Sequence, residues 1–244
     1  MCIRDRAWQR LHDEGKLTGA QKIFWQAKPA EELFDIKADP YEVNNLAENP
    51  EYRDVLERMR MANNDWITEI HDPGFLPEAE MVFRSDGGAP FDMARDPQKY
   101  NLKRYMEVLD VVNSRNPENV PQLVELLKDK DSGVRYWAAE GCLALGDKAA
   151  PAKETLETCL TDKSPNVRIA AAEALCAIGK NDRAMRVLAE ALNHENGYVR
   201  LHAANALDYQ DKTASKYRQL FTEKLNDELG YVGRVMEKTL ADLE

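Results

Sequence analysis

Three arginines recur at nearly constant spacing and are the residues of this chain that most clearly suggest binding chemistry. Arg135, Arg168 and Arg200 each follow a valine and open a short helical pattern. A planar guanidinium group can bind an anionic group through two parallel hydrogen bonds. Acidic turn residues such as Asp131 and Asp162 lie close to these arginines in the sequence. We therefore expect a stacked, structural ladder of ion pairs, with a ligand site as the alternative.

The histidines and cysteines give little indication of a metal site. His194 and His202 are eight positions apart across a turn and have no evident third ligand, so we do not expect zinc between them. Cys142, Cys159 and Cys176 lie in helical patterns without C-x-x-C spacing. We expect them to be small buried apolar residues, with disulfide or thiol chemistry as the alternative. The sequence predicts no catalytic residue, no metal ligand and no cofactor site.

Composition and motif searches exclude several classes of function. The 244 residues carry a formal net charge of −10, which argues against non-specific binding to nucleic acid or to an anionic membrane. No run approaches the roughly 20 apolar residues that a membrane span requires. The motifs G-x-G-x-x-G, P-loop, G-x-S-x-G and H-E-x-x-H are absent. With 43% hydrophobic residues the chain can form a packed core of one or two domains.

The second half of the chain repeats itself. The steps between corresponding valines are 33, 32 and 33 residues, and the valines are Val134, Val167, Val199 and Val232. A fixed period in this range is typical of a helical solenoid. In the second unit, Ser164 suits a helix N-cap, Pro165 suits the first helical position, and Gly179 suits the end of the helix.

The second helix of each unit carries the pattern V-R-x-x-A-A-x-[AG], which resembles the short form of the HEAT-like repeats. The resemblance covers roughly residues 116–243, and it implies a stack of helix pairs. The last unit departs from the pattern, because Gly233 stands where the other units have arginine; such divergence is expected of a terminal cap. The tetratricopeptide spacing is absent, and the ankyrin motif L-H-x-A occurs only once, so we prefer the HEAT-like interpretation.

The first half carries a longer motif, E-L-F-D-I-K-A-D-P-Y-E-V-N-N-L-A from Glu32 to Ala47. It resembles a signature near the end of type I sulfatases, and residues 8–21 resemble the stretch that precedes it in sulfatases of sulfated sugars, including the sulfamidase-like branch. The resemblance implies a parent enzyme that uses a formylglycine and a calcium ion. The nucleophile motif C-x-P-x-R or S-x-P-x-R is absent from this sequence, so no catalytic residue can be transferred.

Seven residues match the sulfatase signature, and we interpret them as turn and cap residues. Asp39 suits a cap and Pro40 the first position of a helix, with Glu42 completing a box-like pair. Alternatively, Asp35 and Asp39 could belong to a metal site. The absence of the calcium-loop motif D-x-[DN]-x-[DN]-G around them disfavours this alternative. The matching positions are Leu33, Asp35, Asp39, Pro40, Glu42, Asn45 and Leu46.

These patterns predict a mainly α fold, in which a small α+β sulfatase C-terminal subdomain is followed by a HEAT-like α-solenoid. Residues 7–78 would form the subdomain, with extended segments before an amphipathic helix that opens at Asn49-Pro50. Residues 79–98 would be a linker, residues 99–115 a capping helix, and residues 116–244 about four helix pairs. The first six residues, M-C-I-R-D-R, resemble a translated sequencing adapter, so they and Cys2 are excluded from the fold prediction.

The expected function is that of a sulfatase C-terminal portion without its catalytic domain. The solenoid would pack against that domain or bind another protein, and the chain by itself would be inactive. The parent would be periplasmic or secreted, whereas the sequence leaves the location of this chain open. The alternative is a free-standing HEAT-repeat interaction module. A third possibility, that the repeats form an enzyme such as a lyase of bilin pigments, rests on repeat-level analogy alone.

Overall fold

The computed structural model describes residues 3–243, and it divides into two compact units, residues 1–67 and 68–244. Cys2 lies outside the described residues. The boundary falls inside a long helix, between Ile67 and Thr68, whereas the sequence predicted the end of the first domain at residue 78. No helix in the described part of the chain is long and apolar enough to cross a bilayer.

The described residues of the first unit form two α-helices and bury little apolar surface. Helix α1 spans Ile3–Asp13, a short 3₁₀ helix spans Gly19–Trp25, and helix α2 spans Arg53–Ile70 after a 3₁₀ turn at Pro50–Tyr52. As predicted from Asn49-Pro50, the side chain of Asn49 caps that turn by accepting the Glu51 N–H. Of the described residues of this unit, only Leu17 and Leu33 are buried. The apolar stripe of α2 is open to solvent, with Trp66 57% exposed.

The predicted extended segments of the first unit form no β strand among the described residues. A strand needs a neighbouring strand for its backbone N–H and C=O groups. Here a side chain replaces that neighbour: Leu33 N–H donates to Asn45 Oδ1 at 2.9 Å, and Asn45 Nδ2 donates to the Glu31 carbonyl at 3.2 Å. Only one backbone hydrogen bond, Leu46 N–H to the Leu33 carbonyl at 2.8 Å, joins the two stretches. The structure therefore differs here from the predicted α+β subdomain.

The second unit is a stack of helix pairs, as the period of the sequence predicted. The second helices of the pairs are neighbours along the stack, and the short first helices pack beside them. Four pairs follow helix α5, Leu102–Asn113; they are α6 Val120–Leu126 with α7 Ser132–Leu145, α8 Lys153–Cys159 with α9 Pro165–Ile178, α10 Asp182–Ala191 with α11 Gly197–Asp208, and α12 Arg218–Glu223 with α13 Gly230–Asp242. The mainly helical, HEAT-like architecture is thus present.

Small residues allow these helices to approach closely. Ala139, Ala172 and Ala204 occupy the same position in consecutive second helices, and all are fully buried. At the start of α7, a β-carbon on Gly133 would lie 2.6 Å from the Tyr105 ring and 2.7 Å from Leu76, so only glycine fits. Leu76 and Tyr105 belong to the segment before the first pair. That segment is therefore continuous with the solenoid core.

Residues 79–98, predicted as a linker, contain two helices that join the same core. Helix α3 spans Glu78–Ser85 and helix α4 spans Pro90–Met93. Ala79, Met93 and Ala94 are each less than 5% exposed. Gly87 and Gly88 lie in the turn between the two helices, where Gly87 has φ 80°, and Pro90 is the first residue of α4. Helix α5, within the predicted capping segment, buries Tyr105 and Val108.

Candidate functional site

Two of the three recurrent arginines form ion pairs between consecutive repeats. Arg135 donates from Nε and Nη2 to the two carboxylate oxygens of Asp162, both at 2.7 Å. Arg200 holds Asp227 in the same way, at 2.8 and 2.9 Å. In each case the aspartate lies five residues before the valine of the next repeat. The Nη1 group of each arginine donates to backbone carbonyls in its own repeat, such as that of Asp129 for Arg135.

The third arginine lacks this partner. Arg168 Nη1 donates to the carbonyls of Asp162 and Lys163, as the ladder geometry requires. Its Nε and Nη2 groups donate to no group of the described residues. The position that should supply the carboxylate is His194, an imidazole. Burial, together with the nearby positive charge of Arg168, holds the pKa of His194 below its ordinary value, so His194 is neutral at pH 7.

His194 nevertheless makes the same turn hydrogen bond as the aspartates at the equivalent positions. The side chain at this position accepts a backbone N–H from two residues further along, which fixes the turn before each second helix. Asp162 accepts from Ser164 at 2.8 Å, and Asp227 accepts from Leu229 at 3.0 Å. His194 Nδ1 accepts from Asn196 at 3.0 Å. The turn therefore has the same hydrogen bond in each of these repeats, whereas the ion pair is absent between Arg168 and His194.

A buried polar cluster anchors helix α3 to the starts of the second helices. Arg84 is its centre: Nη2 donates to Asp131 Oδ1 at 2.6 Å and Nε to Glu80 Oε1 at 3.1 Å. The Tyr105 hydroxyl also donates to Asp131, at 2.7 Å. Burial acts to raise the pKa of Asp131, but the hydrogen bonds from Arg84 and Tyr105 outweigh it, so the pKa lies below its ordinary value. We call these groups and the Ser132 hydroxyl the Arg84 cluster.

A shallow groove of about 470 Å³ lies next to the Arg84 cluster. Arg168, the arginine without a carboxylate partner, lines this groove. The carboxylate of Glu80 occupies one side of it, where it accepts hydrogen bonds from the hydroxyls of Ser132 and of Ser164, the latter at 3.0 Å. Basic groups outnumber acidic groups along its walls. The groove therefore suits an acidic group as a ligand. Its lining residues are Glu80, Phe83, Lys130, Ser132, Arg135, Lys163, Ser164, Pro165, Arg168, His194 and Glu195.

The seven signature residues of the first unit lie around two turns. Asp35 Oδ1 accepts the N–H groups of Lys37 and Ala38 at 3.0 and 3.2 Å. Asp39 Oδ2 accepts those of Val43 and Asn44, at 2.9 and 2.8 Å. No helix begins at Pro40, so Asp39 caps a turn where the sequence predicted a helix.

The remaining signature residues complete the same region. Glu42 has a left-handed backbone conformation, with φ 53°. Asn45 joins the two stretches through the hydrogen bonds to Leu33 and Glu31 described above, and Leu46 donates to the Leu33 carbonyl. Asp35 and Asp39 therefore make turn contacts, whereas Asn45 and Leu46 join two stretches of chain that lie 12 or more positions apart.

The cysteines of the solenoid are free thiols. Cys142 and Cys159 are buried and Cys176 is part buried. Burial raises the pKa of Cys142 to about 12 and that of Cys176 to about 11, which keeps both thiols protonated at neutral pH.

One group of chemically notable residues was missed by the sequence interpretation. Glu140, Glu173 and His202 come together on the second helices α7, α9 and α11. The sequence did contain a signal, because both glutamates lie six residues after the valine of their repeat. Equivalent positions of consecutive repeats are neighbours in a solenoid, so this spacing indicates that the two side chains lie close together. His202 was considered only as a partner of His194, which lies in the turn before α11.

Comparisons with known proteins find similarity to HEAT repeats and to sulfatases, in each case over a limited length. A family model described as HEAT repeats matches residues 141–208. An ulvan-active sulfatase of Formosa agariphila is 49% identical over 74 residues, which are 30% of this chain and 12% of the sulfatase. A second ulvan-active sulfatase of the same organism is 30% identical over 127 residues, covering 42% of this chain and 26% of that protein. The chain thus spans about an eighth and about a quarter of these relatives.

Proposed function

We propose that this chain is the C-terminal, non-catalytic portion of a sulfatase of sulfated carbohydrates, extended by a HEAT-like scaffold. The observation that carries the proposal is the 49% identity over 74 residues to an ulvan-active sulfatase. The signature from Glu32 to Ala47, with its turn and cap contacts, supports the same origin. A sulfamidase-like parent is one member of this class.

The packing of the first unit supports a role as part of a larger body. Its described residues bury only two apolar side chains, while Phe24 and Trp66 are each 57% exposed and Met61 is 67% exposed. Apolar surface of this extent is typical of a segment that covers, or is covered by, another protein surface. In the proposal that surface belongs to the catalytic domain of the sulfatase. The formylglycine and the calcium ion would also belong to that domain, in a periplasmic or secreted parent.

The first test is to read the source DNA upstream of the codon for Ala7. The proposal predicts an open frame that continues through a C-x-P-x-R or S-x-P-x-R motif. A promoter and a start codon at this point would refute it. In a second test, the chain incubated with a chromogenic aryl sulfate should release no more product than a heat-killed control, whereas the extended protein should hydrolyse sulfated polysaccharide.

A free-standing interaction module is the second candidate, and the continuous core of residues 68–244 favours it. The two candidates differ in what deletion of residues 1–67 does. If the first unit has lost a covering domain, the full chain should bind a hydrophobic dye and aggregate, and the deletion should cure both. If the chain is a module in its own right, the full chain should be monomeric and bind little dye.

A further inference from the structure

Three side chains that can ligate a metal ion meet on one face of the solenoid. Glu140 comes from α7, Glu173 from α9 and His202 from α11, so three consecutive repeats contribute one group each. The potential ligand atoms all lie within 4.8 Å of one another, and all three residues are part buried. The two glutamates occupy equivalent positions of their repeats. At that position the third repeat has Asn205, and it places His202 one helical turn earlier.

The two carboxylates have no cationic partner among the described residues. Neither glutamate takes part in an ion pair with lysine or arginine. Burial and the charge of Glu173 raise the pKa of Glu140 to about 7, and burial raises that of Glu173 to about 7 as well. Two part-buried carboxylates this close repel each other when both are ionised. A proton or a bound cation relieves this repulsion, and the hydrogen bond from Tyr136 acts in the opposite direction to burial by lowering the pKa of Glu140.

His202 supplies a neutral nitrogen ligand to the same place. Its Nδ1 atom is closed off from solvent and has no hydrogen-bond partner. A buried polar atom without a hydrogen-bond partner costs free energy, and a metal ion bound to this nitrogen would offset that cost. Burial lowers the pKa of His202 to about 4, so the imidazole is uncharged at neutral pH and offers a lone pair. The ring of Tyr136 packs edge-on against the imidazole, with centroids 6.0 Å apart.

We propose that Glu140, Glu173 and His202 form a binding site for a divalent transition-metal ion, Zn²⁺ by preference, that joins three consecutive repeats. Two carboxylate oxygens and one imidazole nitrogen are ligands that Zn²⁺ accepts at 2.0–2.2 Å. Tetrahedral ligand atoms at these bond lengths lie about 3.4 Å apart, so small side-chain rotations from the observed spacing complete the site. The imidazole favours Zn²⁺ over Ca²⁺ and Mg²⁺, which prefer oxygen ligands alone.

The site has two consequences for the solenoid, and neither depends on the proposed sulfatase origin. The ion ties α7, α9 and α11 together, so its binding stabilises the folded stack. Three protein ligands also leave a coordination position open, as in zinc sites that hold a water or an exogenous oxygen ligand. The ion would thereby give the face of the second helices a point of attachment for an oxyanion.

The test is calorimetric titration of the metal-free full chain with zinc chloride alone, at about pH 8, where both carboxyl groups can ionise. One equivalent of Zn²⁺ should bind and raise the unfolding temperature. His202→Gln, Glu140→Gln and Glu173→Gln should each weaken binding at least about tenfold. The matched controls are His194→Gln and Glu190→Gln, which should bind Zn²⁺ as the unmodified chain does.

The glutamate variants also exclude misfolding as the cause of lost binding. Replacing one of two repelling carboxylates should leave the metal-free protein as stable as before, or more stable, while the zinc-dependent stabilisation disappears. Co²⁺ in place of Zn²⁺ should give a visible absorption spectrum that His202→Gln abolishes. The proposal is overturned if the unmodified chain binds no Zn²⁺ or if the three variants bind it undiminished. Ca²⁺ binding of equal strength would also overturn it, because it would indicate an acidic surface only.

Discussion

Replacing Arg84 by methionine should strongly destabilise the second unit. The guanidinium of Arg84 holds two carboxylates, those of Glu80 and Asp131, and its side chain is only 15% exposed. It also donates to the Lys99 carbonyl at 2.8 Å and to the Ser132 hydroxyl at 2.8 Å. Methionine fills a similar volume but donates no hydrogen bond. The substitution therefore leaves the buried carboxylate of Glu80 and the part-buried carboxylate of Asp131 without their cationic partner.

The expected cost is about 3–5 kcal/mol, the range for removing one partner of a buried ion pair. None of the three groups is more than about a quarter exposed, so screening by solvent lowers this value little. In a unit of this size such a loss lowers the unfolding temperature by roughly 6–20 °C. The control is Lys128→Met, which breaks an exposed pair with Glu125 and should cost no more than about 0.5 kcal/mol.

Urea unfolding of Arg84→Met and of the control, followed by circular dichroism, measures both changes. The pH dependence adds a second check on the mechanism. The lowered pKa of Asp131 contributes stability that is present above its ordinary value of 3.8 and is lost as the pH falls through the lower, folded value. The deficit of Arg84→Met should therefore shrink as the pH falls below about 4. A deficit under 1 kcal/mol near neutral pH, or one independent of pH, would refute this account of the cluster.

Three further substitutions and one glycine control test the packing and the ladder, each by urea unfolding. Gly133→Ala should cost about 1–3 kcal/mol, because the new methyl group has no space; Gly179→Ala, which meets no atom within 4 Å, should stay within about 0.5 kcal/mol of the unmodified chain. His194→Asp should complete the ladder at Arg168 and stabilise the unit by up to about 1 kcal/mol. Leu156→Ala, at a fully buried position, should cost about 2–5 kcal/mol.

Each of these expectations has a result that contradicts it. Equal stability of the two glycine variants would mean that the close approach at Gly133 is relieved by movement of its neighbours. A destabilised His194→Asp would show that the imidazole contributes more than the turn hydrogen bond it shares with the aspartates. A loss below 1 kcal/mol at Leu156 would mean that the first helices contribute little to the core.

In the first unit, the sequence predicted the turns but not the structure of the stretches that adjoin them. The signature from Glu32 to Ala47 identified residues that form turns, since Asp35 and Asp39 bond to backbone groups only a few positions away. Asn45, in contrast, reaches back along the chain to Glu31 and Leu33. Whether the adjoining stretches become strands depends on a partner strand, which a local pattern does not reveal. The structure pairs Leu33 with the side chain of Asn45 where the sequence predicted an extended hairpin.

For the solenoid, the sequence by itself determined the period, the helix pairs and the small residues between them, because these depend on contacts within about one repeat of 33 residues. Tertiary structure alone decided which groups meet across repeats. It left Arg168 without a carboxylate, buried Glu80 and half-buried Arg84 from the segment predicted as a linker, and brought Glu140, Glu173 and His202 together. The physical reason is that such contacts depend on how successive helices stack and rotate, and that geometry is set by the packing of the whole array.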